Sequence, residues 1–262
     1  MPNEIDPARP ELPNKTEGTF ISDGLELKYT MYQPETKSDE PTPLLLMLHG
    51  ASSQAGNGRV LFDELQRKMA DIGYASFSYD TRGVGQSQGE YEDSTLTNRY
   101  QDAYNAVEFL MENGYAQDGN IVILGLSMAG HVVATMTDYN PLNYKAVILV
   151  NPAAYGADAT DKKLKPSTEF TDTIRRPNSW TSSPAFVGIA EFEGPVMMAD
   201  SEYDDVIEPG IKKNYILAIQ NLQKHVILPE VKHAFFSSAQ DSAKTARELL
   251  YEEIVKFLEE LS

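Results

Sequence analysis

The sequence contains no cysteine. This excludes disulfide bonds, a cysteine nucleophile and metal sites built on thiolates. It does not indicate a cellular compartment, because a chain without thiols is indifferent to redox conditions. Histidine is also scarce, with four residues in the chain, and no two of them have the spacing of metal ligands. The sequence therefore predicts no metal site.

Basic residues are few: 22 lysines and arginines stand against 39 aspartates and glutamates, which gives a formal net charge of −17. Such a surface repels nucleic-acid phosphates and anionic lipid, so we expect neither as a partner. No apolar run approaches the roughly 20 residues that span a bilayer. Residues 1–18 also lack the basic-then-apolar order of a secretion signal. The expected location is therefore the cytoplasm.

The 262 residues suffice for one large α/β domain or two small ones. Short apolar segments alternate along the chain with segments whose apolar residues have helical spacing. The first two predicted strands are expected to pair antiparallel, and the later alternation predicts a parallel sheet with flanking helices and right-handed crossovers. The pattern predicts strands at 19–21, 25–32, 44–48, 75–79, 120–126, 145–150, 196–200 and 225–228, and helices at 58–72, from 94, from 127, at about 210–220 and near the C-terminus.

Residues 157–193, called the insertion below, interrupt this rhythm with proline, threonine, serine and scattered aromatic residues. Their place between two strands of a parallel sheet predicts a lid over the active-site edge. We therefore expect a flexible tail at 1–18, a core formed by 19–156 and 194–262, and a lid at 157–193. Its aromatic residues either line an acyl or aryl pocket or pack the lid onto the sheet: Phe170, Trp180, Phe186 and Phe192, with Tyr155 nearby.

Ser127 follows the apolar run 121–126 and is flanked by the small residues Gly125, Ala129 and Gly130. A segment compatible with a helix comes next. A serine in a sharp turn between a strand and a helix is the pattern of a nucleophile elbow, in which the hydroxyl projects from the backbone. Small neighbours are needed because the strand and the helix nearly touch there. The pattern predicts that Ser127 is a catalytic nucleophile.

A serine hydroxyl needs a histidine base, and the base needs a carboxylate that fixes its tautomer. His233 follows the last predicted strand and therefore lies at the same edge of the sheet as Ser127. The carboxylate is expected a few residues after strand 196–200. Asp204 fits that position best, and Asp205 and Glu202 are rivals in the same acidic turn. His131 lies on the predicted helix after the elbow, and His225 lies near the start of a strand, where we expect it to be structural.

The tetrahedral intermediate also needs two N–H donors for its oxyanion. One is expected from Met128, the residue after the nucleophile, and the other from the loop after strand 44–48. In that loop the N–H of Ala51 is the predicted second donor, and His49 is a candidate substrate-binding residue. The glycine-rich turn 80–87 lacks the third glycine of a dinucleotide-binding loop and is interpreted as structural.

Together these residues resemble the α/β-hydrolase superfamily of the serine-esterase type. The markers stand in the order of that family: His49-Gly50, the Asp-x-Arg-Gly-x-Gly-x-Ser turn at 80–87, Ser127, Asp204 and His233. The resemblance covers the chain from about residue 19. It implies a mostly parallel eight-stranded sheet, a lid after the sixth strand and no cofactor.

Two positions depart from the family pattern. Ala129 stands where the family usually has glycine, and Ser201 stands where the loop before the acid commonly begins with glycine. The second departure leaves the choice between Asp204 and Asp205 open. Within the superfamily, segment 88–95 and the helix after it resemble the cinnamoyl/feruloyl-esterase-like group.

The activity expected from these features is hydrolysis of carboxylic esters, with short-chain or aryl acyl groups, through an acyl-enzyme. The expected partner is a small-molecule ester, and the sequence does not indicate an oligomeric state. The same three catalytic residues also serve amidases, peptidases and acyltransferases, which therefore remain alternatives. A non-catalytic binding protein on a hydrolase fold is a further alternative from a different class.

Overall fold

The computed structural model describes residues 14–35, 41–51, 62–139, 143–165 and 168–261. Within them an eight-stranded sheet has the order β1-β2-β4-β3-β5-β6-β7-β8. The pairs β1–β2 and β2–β4 are antiparallel, and the other neighbouring pairs are parallel. This confirms the predicted fold class. The strands are β1 Lys15–Ser22, β2 Leu25–Tyr32, β3 Leu44–Leu48, β4 Ala75–Tyr79, β5 Ile121–Leu126, β6 Tyr144–Val150, β7 Val196–Ser201 and β8 Leu222–Leu228.

Helices cover both faces of the sheet, which explains why every residue of β3, β4 and β5 is buried. One face packs against α2, α3, α5 and α6, and the other packs against α1 and α7. The carboxyl ends of the parallel strands meet at one edge, where the candidate site lies. The helices are α1 Asp63–Asp71, α2 Leu96–Glu112, α3 Met128–Tyr139, α4 Glu169–Ile174, α5 Pro184–Glu191, α6 Pro209–Ala218 and α7 Asp241–Glu260.

The starts of β1 and β8 differ from the sequence-based expectations by three or more residues. β1 begins at Lys15, inside the predicted tail, because it pairs with β2 along its full length, from Lys15 opposite Tyr32 onward. Residues 1–13 of that predicted tail lie outside the described residues, as do residues 58–61 of the predicted helix 58–72. β8 begins at Leu222 rather than at 225. It is an edge strand whose first six residues alternate between half-buried and exposed, so it lacks a continuous apolar run.

α2 is capped one residue later than predicted. Thr95, rather than Ser94, accepts the Asn98 N–H through its hydroxyl at 3.1 Å. The Asn98 side chain accepts the Thr95 N–H in return at 3.0 Å. This reciprocal capping box satisfies two N–H groups that the first turn of a helix leaves without backbone acceptors. It fixes the start of the helix that carries Arg99, discussed below.

The insertion follows β6 and contains α4 and α5. Gly188 of α5 lies directly against α3, since a Cβ at this position would overlap the Ala134 carbonyl oxygen. Ala185 and Ile189 of α5 are fully buried in the same core as α3. The second half of the insertion is therefore packed against α3, the helix that begins directly after Ser127.

Candidate active site

Ser127 adopts a left-handed backbone conformation, with φ of +55°. This conformation is strained for a residue with a side chain. The surrounding backbone holds it: the Ser127 N–H donates to the Val150 carbonyl at 2.9 Å, and the Ser127 carbonyl accepts the Gly130 and Ala153 N–H groups at 2.9 and 3.0 Å. A Cβ at Gly125 would overlap the Ala129 carbonyl. The turn therefore has the close contacts that a nucleophile elbow requires.

His233 lies in a short 3₁₀ helix, His233–Ser237, after β8. Its Nε2 is 2.8 Å from Ser127 Oγ, and its Nδ1 is 3.0 Å from Asp204 Oδ2. A carboxylate beside Nδ1 holds the proton on that nitrogen and leaves Nε2 free to accept the serine proton. The structure thus brings together the predicted nucleophile, base and acid in the geometry of a proton-transfer chain.

The Asp204 side chain is 1% exposed, and both of its carboxylate oxygens accept hydrogen bonds. Its Oδ1 accepts the N–H groups of Val206 and Ile207, both at 2.9 Å, and Lys212 Nζ lies 3.7 Å from Oδ2. Burial alone would raise the pKa of this carboxyl. The hydrogen bonds from His233 and the two backbone N–H groups outweigh burial, and the pKa is lowered. Asp204 therefore stays ionised opposite His233 at neutral pH.

The two rival acids face other partners. The Asp205 carboxylate is 3.0 Å from Lys232 Nζ, and its side chain is 52% exposed. Glu202 Oε2 accepts the Glu230 N–H at 2.9 Å. The Asp205 carboxylate also accepts a hydrogen bond from the His233 backbone, whereas the His233 ring pairs with Asp204, so the geometry favours Asp204 as the partner of the imidazole.

The predicted oxyanion donors flank the nucleophile. Met128 is the first residue of α3, and the first N–H groups of a helix have no acceptor within it. On the other side, a Cβ at Gly50 would lie 2.9 Å from the Cβ of Ser127. The loop that carries Ala51 therefore touches the serine, while residues 52–61 lie outside the described part of the chain.

His49 was expected to contact substrate, but the structure gives it another role. Its ring is 1% exposed; Nδ1 lies 2.8 Å from the Gly50 carbonyl and Nε2 accepts the Thr81 N–H at 3.1 Å. Burial, together with the charge of Arg99, lowers the pKa of His49 to about 3. The neutral ring therefore connects the loop after β3, the predicted oxyanion loop, to the turn after β4.

His131 joins three elements. Its Nε2 is 2.7 Å from the Tyr100 hydroxyl of α2, and its Nδ1 is 3.2 Å from the Ser183 hydroxyl and 3.4 Å from the Tyr155 N–H. Burial lowers the pKa of His131 to about 3, so the ring is neutral. His225, on β8, lies 2.8 Å from Asp200. The contact of His225 with Asp200 agrees with the structural role expected for it, whereas the sequence assigned no role to His131.

The aromatic residues expected near a substrate pocket fall into two groups. Tyr155 lies beside α3, because it packs in a cluster with Met128, the first residue of that helix. Phe170 belongs to the same cluster, and its ring centroid is 5.6 Å from that of Tyr155. Trp180 instead donates its indole N–H to Glu208 at 2.8 Å, and Phe186 stands edge-on to it. Trp180 and Phe186 therefore pack the insertion against the segment before α6, which is the packing alternative.

Sequence reasoning missed Arg99, whose side chain is buried in the first turns of α2 at 3% exposure. One signal was available. The buried face of α2 includes Leu96, Ala103, Ala106 and Leu110, and Arg99 occupies the same helical spacing as these apolar residues. The other buried arginine, Arg82 in the turn 80–87, pairs with Asp102 and is structural, as expected.

Within the described ranges, no group of three or more histidine, aspartate or glutamate side chains is arranged to hold a metal ion. In the same part of the chain no helix is both long and apolar enough to cross a membrane.

The eight-stranded, mostly parallel sheet, with a serine at the turn between β5 and α3, defines a hydrolase of the α/β-hydrolase fold. The X-Pro dipeptidyl-peptidase (S15 family) model matches residues 23–163, just over half of the chain. The protein belongs to this family. The matched segment contains Ser127 and ends before Asp204 and His233.

Individual relatives agree with the fold. Protein bem46 of Schizosaccharomyces pombe is 28% identical over 185 residues, and the match covers 69% of this chain but only 57% of that relative. The butyrate-bound structure of the esterase Est2 from Thermogutta terrifontis has a TM-score of 0.73 at 18% identity, covering 97% of this chain and 96% of that one. Est1E from Butyrivibrio proteoclasticus with bound ferulic acid has a TM-score of 0.66 at 16% identity, covering 91% and 99%.

Proposed function

We propose that the protein hydrolyses carboxylic esters through an acyl-enzyme on Ser127. His233 Nε2 accepts the Ser127 proton while Oγ attacks the ester carbonyl carbon. The N–H groups of Met128 and Ala51 stabilise the oxyanion, and Asp204 stabilises the imidazolium. The imidazolium then gives its proton to the departing alcohol, and water releases the acid by the same steps. The contacts of 2.8 Å and 3.0 Å along Ser127, His233 and Asp204 carry this proposal.

The proposed substrates are esters with short-chain or aryl acyl groups. Two observations support this class. The structural neighbours described above hold butyrate and ferulic acid, one a short acyl group and the other an aryl one. In this chain the side chains packed around Met128 are apolar or aromatic, including Leu96, Phe170 and Tyr155.

The second candidate is hydrolysis of an amide or peptide bond by the same residues, favoured by the match to the X-Pro dipeptidyl-peptidase family. An amine is a poorer leaving group than an alcohol and must be protonated as it departs, which demands more of His233. The two candidates therefore differ in which substrates turn over and not in which residues act.

A panel of p-nitrophenyl butyrate, methyl ferulate and Gly-Pro-p-nitroanilide tests both candidates. We expect hydrolysis of one or both esters, with Ser127→Ala lowering kcat by about 10⁴- to 10⁶-fold. Ser237→Ala, at an exposed serine in the same edge region, is the control and should retain activity. Turnover of the anilide alone would establish the peptidase candidate. Ester hydrolysis that survives Ser127→Ala would overturn the assignment of the nucleophile.

A further inference from the structure

The Arg99 guanidinium is buried but incompletely paired. Its Nη1 donates to the His49 carbonyl at 3.4 Å, the long end of the hydrogen-bond range. Among the residues that the structure describes, Nε and Nη2 have no hydrogen-bond acceptor, and no carboxylate forms an ion pair with Arg99. An uncompensated buried charge is costly, so these donors call for an anion or another polar partner.

Arg82 shows what a paired guanidinium looks like in the same protein. Its Nε and Nη2 both donate to Asp102, at 3.1 Å and 2.5 Å. Nε and Nη2 form the edge of the guanidinium whose two parallel N–H groups match a carboxylate. In Arg99 this same edge has no partner in the described part of the chain. This Nε–Nη2 edge of Arg99, called the fork below, therefore has the shape of a carboxylate site.

This fork lies close to the nucleophile. Arg99 contacts the carbonyl of His49, and the next residue, Gly50, packs against Ser127. On its other side the guanidinium carbon is 5.7 Å from the ring centroid of Tyr91, which packs on the cluster around Met128. Arg99 is therefore enclosed between the predicted oxyanion loop and the apolar side chains beside the nucleophile.

Two more buried hydroxyl groups lack hydrogen-bond partners among the described residues. One is the hydroxyl of Thr81, the residue whose backbone N–H donates to His49 Nε2. The other is the Tyr79 hydroxyl at the end of β4. Burial raises the pKa of Tyr79, Asp102 raises it further and the charge of Arg99 lowers it, while burial and then the charge of Arg99 lower the pKa of His49. A polar region thus borders the apolar cluster.

We propose that Arg99 binds an anionic group, a carboxylate or its equivalent, on the acyl part of the substrate. The preferred substrates are then half-esters of dicarboxylic acids. This specificity rests on the proposed esterase function. The acyl side is favoured because the alcohol departs towards His233, whereas Arg99 contacts the loop after β3 and Tyr91 rather than the segment after β8 that carries His233.

The test compares p-nitrophenyl half-esters of succinic, glutaric and adipic acid with the p-nitrophenyl esters of butyric, valeric and caproic acid. Each pair shares its leaving group and chain length and differs in the terminal carboxylate. For at least one pair, we expect Arg99→Met to lower the charged-to-neutral ratio of kcat/KM by about 10- to 100-fold, the effect of losing a charge-assisted pair. Arg176→Met, which removes an exposed positive charge from the insertion, should leave the ratio unchanged.

An unchanged charged-to-neutral ratio in every pair would overturn the proposal. If that unchanged ratio came from equal losses on both ester classes, Arg99 would only support the loop. Arg99→Lys retains the charge without the fork and serves if the methionine variant does not fold; it should lower the ratio by a smaller factor. Calorimetric titration of wild-type protein with glutarate provides a readout without catalysis. If neither ester class is hydrolysed but glutarate binds and Arg99→Lys weakens it, the esterase proposal fails and the anion site stands.

Discussion

At the scale of single residues, the position of a carboxylate is decided by a few hydrogen bonds. Asp204 and Asp205 are adjacent and chemically identical, yet one is buried against His233 and the other pairs with Lys232 at the surface. The difference follows from the turn after β7, whose Val206 and Ile207 N–H groups both bind Asp204 Oδ1. The backbone of this turn therefore holds Asp204, and not Asp205, against the His233 ring.

This selection predicts unequal effects of two equivalent substitutions. Asp204→Asn should lower kcat by about 10³- to 10⁴-fold, because an amide neither holds the proton on Nδ1 nor stabilises the imidazolium. Asp205→Asn, the matched control, should change kcat by less than about threefold, since the group is exposed. Steady-state kinetics on p-nitrophenyl butyrate measures both. A larger loss at 205 than at 204 would exchange the two assignments.

The lowered pKa of Asp204 predicts how this residue responds to acid. The folded-state pKa lies below the unfolded value, so its stabilising contribution is present above the unfolded pKa and is lost as pH falls through the folded one. Replacing Asp204 by asparagine should therefore destabilise the protein more at pH 7 than near pH 3. Urea unfolding of both proteins at the two pH values measures the difference, and an equal effect at both would contradict the assigned cause.

At the scale of elements, α5 and α3 are in direct backbone contact at Gly188. A methyl group there pushes the two helices apart, because the atom that it meets is a backbone carbonyl and cannot rotate away. We expect Gly188→Ala to lower the free energy of unfolding by about 1–3 kcal/mol. Val187→Ala, at an exposed position of the same helix, is the control and should have little effect. Equal stabilities of the two variants in urea would contradict the close packing.

The elements that the sequence predicted well are the buried ones. β3, β4 and β5 were delimited within one residue, because a strand covered on both faces is a continuous apolar run. The edge strand β8 was placed too late, because its alternation with polar residues hides its first three positions. Burial by neighbouring elements, which sequence periodicity does not contain, decides such boundaries.

The candidate site was predicted to a similar extent. The elbow residues carry a local pattern, and the order of Ser127, Asp204 and His233 follows from the strand sequence; their catalytic roles stay a prediction. The burial of Arg99 and the inward-facing ring of His49 depend on contacts between segments distant in the chain. No spacing rule indicates them.

At the scale of the whole molecule, two neutral histidines are buried in a chain of strongly acidic composition. The pKa of His49 and of His131 is lowered to about 3, whereas an unfolded histidine has a pKa of about 6.5. Between these two pKa values, His49 and His131 are protonated in the unfolded state and neutral in the folded state. Each histidine therefore reduces stability by about 1.4 kcal/mol per pH unit as pH falls from about 6 towards 3.

His131→Asn should decrease this pH dependence by about one proton, although the variant is less stable at pH 7 because it loses the contacts to Tyr100 and Ser183. Urea unfolding between pH 7.5 and 5 gives the slope for each protein. Parallel slopes for the variant and the wild type would mean that His131 is protonated in the folded state.

The contact between Gly188 and α3 has a consequence for engineering. An insertion between two strands, such as the one between β6 and β7, is a segment that can be exchanged in a chimera to alter selectivity. In this protein the insertion is not separable from the core on this side, because α5 meets the Ala134 backbone of α3 at Gly188 without an intervening side chain. A chimera that imports a foreign insertion must therefore also import the matching face of α3, the helix that follows Ser127.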